Sequence, residues 1–341
     1  MAPAVRSAYG CGLIAAIACL IAGLSCSDPE PGQIAFFSDR SGSFQLYTLD
    51  ADGPGLARLT DEAAPALFPS WSPDGNRLVF VSGQGGAREL HVVNPNGIDA
   101  ARLTDNDAVD DTPIWSPDGT RILFKSERDG NAEIYVMDAG GGNQRNLTRD
   151  LGRDIFPAWS PDATRIAFSS NRDGDFEIYV MDPDGSNLAR LTYSPRTEVL
   201  ATWSPDGANI AYESGEGDEM ELWVMRADGT EKTRLTFNTG VDQLPSWSPD
   251  GRRIAYVSSR DGNLEVYAMD ADGADQTRLT HNDVVEDGPP AWSFDGRRIA
   301  FVSARDGDWE IYVMDADGSN QVRLTESPGT DVWPVWMPGG G

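Results

Sequence analysis

Acidic side chains recur five residues before a series of evenly spaced tryptophans. The acids are Asp110, Asp154, Glu198, Asp242, Asp287 and Asp331, and only the first copy departs, with Ala66. If the tryptophans mark equivalent units of a ring, six carboxylates would surround one opening. Their focused negative potential would attract a cationic segment of a partner. The alternative is that each acid only caps the turn into the strand that it opens.

Apolar side chains stand three residues before the same tryptophans. They are Phe68, Phe156, Leu200, Leu244 and Trp333. We expect them to lie near the acids and to add apolar surface to the same opening. Together, the acids and the apolar residues form the candidate partner-binding site.

Residues suited to catalysis are scarce. The chain has two histidines, His91 and His281, and no Gly-x-Ser-x-Gly motif. The turn from Asp315 to Asn320 resembles part of a calcium loop, but it offers only some of the roughly six to eight oxygens that calcium takes. A hairpin turn is the alternative, with aspartate accepting local backbone bonds. We therefore expect a protein that is not an enzyme, with no metal and no cofactor.

The charge of the chain excludes one class of partner. Its 341 residues include 27 basic and 54 acidic side chains, a formal net charge of −27. Such a chain repels phosphate groups, and we expect it not to bind nucleic acid.

The N-terminus has the pattern of an export signal. A mainly apolar run of 14 residues, Cys11 to Leu24, follows Arg6 and is too short to span a bilayer comfortably. It ends at Gly23-Leu24-Ser25-Cys26, which resembles a bacterial lipobox, where cleavage precedes a cysteine that then carries lipid. We predict a signal peptide over residues 1–25, lipid on Cys26 and a short tether over residues 26–32. An ordinary secretory signal is the alternative.

The rest of the chain is one repeat. Seven tryptophans, at positions 71, 115, 159, 203, 247, 292 and 336, lie 44 residues apart, with one interval of 45. This period is typical of four-stranded propeller blades. Each module contains four short strand candidates separated by Gly, Asp and Pro turns, for example Phe156–Trp159, Arg165–Ser169, Glu177–Met181 and Ala189–Thr192. A proline two residues before most of these tryptophans favours an edge strand, which places the tryptophan strand innermost.

The strand order predicts how the ring closes. The first module lacks the tryptophan strand, and the last tryptophan strand has no partners after it. We predict an all-β, seven-bladed propeller over residues 33–341, with one blade shared between the N-terminal and C-terminal strands. Sharing a blade removes the free edges of the sheet.

The repeated string Trp-Ser-Pro-Asp-Gly, Ile-Ala-Phe, Ile-Tyr-Val-Met-Asp-x-Asp-Gly and Arg-Leu-Thr resembles the TolB-type, WD-like β-propeller repeat family. The resemblance covers residues 33–341. It implies a propeller whose channel opening takes peptide segments of partners. TolB itself, as the family implies, carries an α/β domain before a six-bladed propeller. Only residues 27–32 separate Cys26 from the first strand here, and the modules number seven, so we expect a lipoprotein variant without that domain.

These observations predict a lipid-anchored scaffold that binds a protein or peptide, with a cationic segment at the channel. We expect a monomer, exported to the bacterial cell envelope as a periplasmic or surface lipoprotein, that contacts the membrane through its lipid alone. One alternative is a propeller lyase or hydrolase that acts on an envelope polysaccharide or peptide. Another is a purely structural component of the envelope.

Overall fold

A computed structural model describes residues 32–339 except residues 62, 85 and 283–286. Seven antiparallel sheets of four strands form seven blades. Cys26 and the predicted signal peptide lie outside the described residues. We number the blades from the first strand, so that blade 1 contains both termini of the ring.

Each blade contains an inner, a second, a third and an outer strand. The inner strands, in chain order, are β4 (Ala66–Trp71), β8 (Asp110–Trp115), β12 (Asp154–Trp159), β16 (Thr197–Trp203), β20 (Asp242–Trp247), β24 (Ala291–Trp292) and β28 (Asp331–Trp336). The second strands are β1 (Gln33–Ser38), β5 (Leu78–Gln84), β9 (Arg121–Ser126), β13 (Ile166–Ser170), β17 (Asn209–Gly215), β21 (Arg253–Ser258) and β25 (Arg298–Ser303).

The outer half of each blade is shorter. The third strands are β2 (Gln45–Asp50), β6 (Ala87–Val93), β10 (Glu133–Asp138), β14 (Glu177–Met181), β18 (Glu221–Arg226), β22 (Glu265–Asp270) and β26 (Glu310–Asp315). The outer strands are β3 (Ala57–Arg58), β7 (Ala101–Arg102), β11 (Arg145–Asn146), β15 (Ala189–Arg190), β19 (Thr233–Arg234), β23 (Thr277–Arg278) and β27 (Val322–Arg323). The helical segment in the described residues is one 3₁₀ turn, Gly217–Glu219, and no helix there is long and apolar enough to cross a membrane.

The outer strands are shorter than the sequence predicted because a side chain replaces the backbone in the ladder. In blade 4, the amide of Leu191 donates to the carbonyl of Ile178 at 2.8 Å. The amide of Ile178 then donates to Oγ1 of Thr192 at 2.8 Å. The threonine hydroxyl therefore ends the strand, and the same contact recurs in the other blades.

The core lies between blades. Each of seven clusters of buried apolar residues joins the second and third strands of one blade to the inner, second and third strands of its neighbour. Between blades 4 and 5, for example, Ile178 packs with Ile210 and Tyr212, all nearly inaccessible to solvent. A blade buries apolar side chains on both faces, so no blade completes its core without both neighbours.

Five of the seven repeat tryptophans hydrogen-bond to the inner strand of the preceding blade. The indole N–H of Trp203 in blade 5 donates to the carbonyl of Ala158 in blade 4 at 3.2 Å. The guanidinium carbon of Arg165 in blade 4 lies 4.8 Å from the centre of the same ring. Arg165 also donates to the carbonyl of Ala227 in blade 5 at 2.8 Å. Each tryptophan thus belongs to the interface with the blade before it, which explains its fixed period.

Blade 1 is shared by the ends of the ring. Strand β28 pairs with β1, with Trp336 opposite Ile34 and Asp331 opposite Ser38. The amide of Met337 donates to the carbonyl of Gln33 at 2.7 Å. The predicted seven-bladed all-β propeller with a blade shared between the terminal strands is confirmed.

Deleting residues 330–341 is expected to abolish cooperative unfolding and to cause aggregation. The deletion removes β28, which exposes the edge of β1 and opens the cores on both sides of blade 1. Thermal unfolding followed by circular dichroism, with size-exclusion chromatography, measures both effects. Removing only residues 340–341 is the matched control and should change neither. A monomeric truncated protein with an unchanged Tm would contradict the shared-blade closure.

Candidate binding site in the central channel

The inner strands are bulged at one shared position. In blade 4, Ile155 pairs with Ser169 and Ala158 pairs with Ala167, so two residues, Phe156 and Pro157, stand opposite one residue of β13. A bulge bends the strand and re-aims a side chain. Proline fits the bulge because the ladder there needs no amide donor.

The first residue of this bulge has a left-handed backbone in six blades, and glycine occupies none of the six positions. These residues, with φ between 49° and 62°, are Phe68, Thr112, Phe156, Leu200, Leu244 and Trp333. Blade 7 has Pro289 here, and its inner strand is reduced to two residues. The left-handed conformation costs an L-residue about 1–2 kcal/mol, and bulky side chains rarely adopt it. The fold therefore keeps a local strain at every one of these sites.

The bulges place their side chains around a cavity of about 720 Å³ on the ring axis. Residues of all seven inner strands line it. The five apolar residues that the sequence singled out, Phe68, Phe156, Leu200, Leu244 and Trp333, are all among them. The rings of Phe68 and Trp333 meet edge to face, with their centroids 5.6 Å apart. We call the side chains of the six bulge residues with a positive φ the channel ring; they are these five apolar residues and Thr112.

The six predicted acids do not face this cavity. Asp110, Asp154, Asp242, Asp287 and Asp331 are 0% exposed, and Glu198 is 6% exposed. Five of them form ion pairs with an arginine of the loop between the second and third strands of their own blade. The nitrogen–oxygen distances are 2.5 Å for Arg40–Asp331, 2.8 Å for Arg128–Asp110, 2.9 Å for Arg172–Asp154, 3.2 Å for Arg260–Asp242 and 3.1 Å for Arg305–Asp287.

The prediction that the six carboxylates are exposed around the channel opening is therefore wrong, because all six are buried. The acid opens the inner strand on the side of the neighbouring blade, while the bulge turns the residue two positions later into the channel. Burial raises the pKa values of Asp287 and Asp331 above the ordinary range, against the opposing effect of the paired arginines. These carboxylates act within the blade interfaces rather than on a ligand in the channel.

A second set of acids completes the same interfaces. The glutamate that begins the third strand accepts from the arginine and the threonine at the end of the outer strand. In blade 6, Glu265 accepts from Arg278 at 2.7 Å and from Oγ1 of Thr280 at 2.5 Å. In five blades the arginine of the Arg-Leu-Thr motif pairs with this glutamate, which anchors the outer strand to the third strand.

The charged side chains that do line the cavity were missed by sequence reasoning. They are Asp111, Lys125 and Arg153. Nζ of Lys125 lies 3.8 Å from the Asp111 carboxylate, which also pairs with Arg88 at 2.9 Å. The sequence did mark Lys125 as unusual, because it is one of two lysines in the chain and interrupts an apolar strand. Only the register of β9 against β8 reveals that it points toward the channel.

The Asp-x-Asp-Gly segments form hairpin turns. The amide of Gly185 donates to the carbonyl of Asp182 at 2.9 Å, and that of Ser186 donates to Oδ1 of Asp184 at 2.9 Å. Hydrogen bonds from Ser186 lower the pKa of Asp184. Within the described residues, no group of three or more His, Cys, Asp or Glu side chains is placed to hold a metal ion.

The repeat matches a known protein family. The family described as the TolB beta propeller domain matches residues 61–151, 111–220 and 201–289, which together span more than half of the chain. The chain belongs to this family. The resemblance that the repeat motifs carry is confirmed, and no curated protein sequence matches the chain.

Solved structures agree with this assignment. A putative TolB from Agrobacterium tumefaciens is 26% identical, with a TM-score of 0.55 over 70% of this chain and 87% of that chain. TolB from Acinetobacter baumannii is 20% identical, with a TM-score of 0.59 over 86% of this chain and 79% of that chain. An oligogalacturonate lyase from Vibrio parahaemolyticus is 16% identical, with a TM-score of 0.66 over 86% of this chain and 85% of that chain. The last two similarities show the fold alone.

Replacing Asp154 with alanine is expected to lower the free energy of unfolding by about 3 kcal/mol, because the change leaves the nearly buried Arg172 without its partner. Urea denaturation measures the loss. The matched control is Arg226→Ala, which breaks an exposed pair with Glu231 and should cost at most about 0.5 kcal/mol. Equal, small losses in the two variants would contradict a structural role for the buried acids.

Proposed function

We propose that this TolB-family propeller is an extracytoplasmic scaffold that holds a peptide segment of a partner in its channel. The observation that carries the proposal is the channel ring, in which six blades keep a residue other than glycine in a strained conformation and five of these side chains are apolar. Strain that recurs at one position and points side chains into a cavity is typical of a binding site. The cavity of about 720 Å³ also has the size of sites that hold small ligands or short peptide segments.

Side-chain exposure supports a site for apolar groups. Trp333 is 40% exposed and Phe156 is 37% exposed, although both are large and belong to the wall of a narrow cavity. A peptide that enters the channel would cover this apolar surface, which stabilises the complex in proportion to the area removed from water. The resemblance to TolB-type propellers, whose channel openings take peptide segments, supports the same mode.

The charged side chains beside the cavity indicate which charge the bound peptide carries. Asp111 is already paired with Lys125 and Arg88, whereas the exposed Arg153 has no ion pair among the described residues. A carboxylate on the incoming segment would pair with Arg153. The channel therefore suits an apolar segment with a nearby acidic group better than the cationic segment that exposed acids would have attracted.

Anchoring is a separate part of the proposal. Lipid on Cys26 would hold the propeller at a membrane of the cell envelope through residues 26–32, which reach about 25 Å when fully extended. Stable attachment needs more than one acyl chain, since a single chain binds only marginally. The lipobox pattern at residues 23–26 supports this part.

The rival function is catalysis in the same cavity. Its support is the similarity to oligogalacturonate lyases, which extends to the fold. Incubation with oligogalacturonate and Mn²⁺, followed by measuring unsaturated product, distinguishes the two functions. Sustained turnover that is lost when the channel ring is substituted would overturn the scaffold in favour of a lyase.

The triple substitution Phe156→Asn, Leu200→Asn and Leu244→Asn is expected to weaken peptide binding at least tenfold with the fold retained. Asparagine tolerates a positive φ better than phenylalanine or leucine does, so relief of strain offsets lost packing. The probe is the set of peptides enriched on the wild-type protein from a random peptide display library. Isothermal titration calorimetry then compares their affinities for both proteins.

A matched variant controls for the loss of exposed apolar surface. Leu56, Leu188 and Val322 lie on or beside the outer strands, are about half exposed, and can be changed to asparagine together. This variant should bind the selected peptides like wild type. Peptides that bind the channel variant as tightly as wild type, or that fail only on the outer-strand variant, would rule out the channel as the site.

Changing Cys26 to serine is expected to abolish labelling by a radioactive or alkyne-tagged fatty acid and to release the protein from the membrane fraction. The propeller should still fold, with the Tm of the wild-type protein, because the strands of the described residues all lie between Gln33 and Trp336. Changing Cys19 to serine is the control and should leave labelling intact. Membrane association that survives Cys26→Ser would refute the anchor without affecting the channel site.

A further inference from the structure

Five blades contain the same arginine cage. The loop arginine donates through Nε to a serine that ends the second strand, at 2.8–2.9 Å, and through Nη2 to the inner-strand aspartate. Its guanidinium carbon also lies 4.6–5.6 Å from the centres of two aromatic rings, which face each other on the second and third strands. In blade 4 the cage around Arg172 consists of Asp154, Ser170, Phe168 and Tyr179.

The cage combines the three interactions that hold a guanidinium best. A carboxylate supplies the opposite charge, an oxygen accepts the Nε–H, and aromatic faces attract the flat cation. The arginines are only 10–22% exposed in their side chains, so these interactions operate largely out of water.

Blades 2 and 5 depart from the pattern in different ways. Blade 2 lacks both charges, since Ala66 replaces the acid and Gln84 replaces the arginine. Blade 5 lacks only the cation. Its inner strand keeps an acid, Glu198, opposite Ser214, while the loop position of the arginine holds the exposed Glu216.

The rest of the cage is intact in blade 5. Tyr212 and Trp223 pair across the second and third strands, at the register of Phe168 and Tyr179 in blade 4. Ser214 lies 3.3 Å from Oε1 of Glu198. Oε2 of Glu198 is buried, and no cation forms an ion pair with this carboxylate among the described residues. One carboxylate oxygen, one serine and two aromatic rings therefore remain where the other blades bind arginine.

An open cavity of about 420 Å³ occupies this position. Glu198, Ser214, Tyr212 and Trp223 all line it, and the exposed Tyr193 forms part of its outer wall, so the cavity reaches solvent. Its residues are distinct from those of the channel cavity. We call it the blade 5 socket.

We propose that the blade 5 socket binds a guanidinium group that a ligand supplies, in the place where five other blades bind their own arginine. The group could come from a small free guanidinium compound or from an arginine side chain of a peptide. The chemistry of recognition is the same for both sources. The site is independent of the channel ring and does not rest on the proposed function.

The cations around the socket have partners of their own. Arg234 donates to Glu221 at 2.5 Å, Arg196 lies 3.9 Å from the carboxylate of Glu219, and Lys232 donates to the carbonyl of Gly229. None of these cations forms an ion pair with Glu198 among the described contacts. Glu198 is thus the carboxylate of the socket that lacks a cation.

The protonation of Glu198 makes binding depend on pH. Burial raises the pKa of Glu198 to about 7; the negative charge of Glu177 and a hydrogen bond with it add to the rise, and hydrogen bonds from Thr192 and Ser214 oppose it. The other charged groups near it are Arg190, which pairs with Glu177, and the socket residues Arg196, Glu221, Lys232 and Arg234. A bound cation favours the ionised carboxylate, so affinity rises with pH. For a pKa of about 7 the expected gain between pH 6 and pH 8 is about tenfold.

The test uses agmatine and the acetylated, amidated tripeptide Ala-Arg-Ala as probes, with the complete propeller. Calorimetry should show saturable one-to-one binding, and the tryptophan fluorescence of the protein should change in parallel, because Trp223 lines the socket. The same tripeptide with citrulline, an uncharged isostere of arginine, should bind at least tenfold more weakly. Tighter binding of agmatine indicates a free compound as the natural ligand, and tighter binding of the peptide indicates a partner side chain.

Two variants locate the site. Glu198→Gln keeps the shape of the side chain and should weaken both probes at least tenfold and remove the pH dependence. Arg172→Ala empties the blade 4 cage, so this variant should bind a second agmatine molecule. Added agmatine should then raise the Tm of the variant. The proposal is overturned if neither probe binds the wild-type protein, or if Glu198→Gln binds them as tightly as wild type. It is equally overturned if agmatine binds only after Arg172 is removed.

Discussion

The interface between neighbouring blades is the constraint on which the rest of this structure depends. Each four-stranded sheet carries apolar side chains on both faces, so it is stable only between two other sheets. A linear array would leave two apolar faces and two groups of strand edges exposed. Pairing β28 with β1 removes both liabilities at once, which makes the last strand of the chain as important to stability as any strand in the middle.

Buried charge follows from the same constraint. The interfaces contain polar side chains as well as apolar ones, and carboxylates there are tolerated because arginine, serine and threonine satisfy them. Such a network adds specificity when it is complete and becomes a weak point when one member is absent. Blade 2 has lost acid and arginine together, which leaves no unpaired charge. Blade 5 keeps Glu198 without its arginine, so the cage there has a carboxylate and two aromatic rings but no guanidinium.

The strained backbone at the inner-strand bulges places side chains in the channel. A regular inner strand would point alternate side chains along the blade faces, where the neighbouring blade already packs. The bulge redirects one residue per blade into the axis, and the closed ring tolerates the resulting positive φ because its many interblade contacts outweigh a local cost of about 1–2 kcal/mol. Rigidity supplied by the interfaces therefore allows an apolar ring to remain exposed in the channel.

The sequence by itself determined the architecture. The tryptophan period and the Gly and Asp turns predict seven four-stranded blades, because both signals are local and recur along the chain. The unmatched terminal strands predict the closure. The sequence also identified the five apolar residues of the channel ring. The tertiary structure decided which way the acids point, because the bulge at Phe156 and Pro157 turns Phe156 into the channel while Asp154 stays in the regular ladder. Pairing between residues distant in sequence, such as Lys125 with Asp111, and the missing arginine beside Glu198 become visible only once the strands are in register and the blades are superposed.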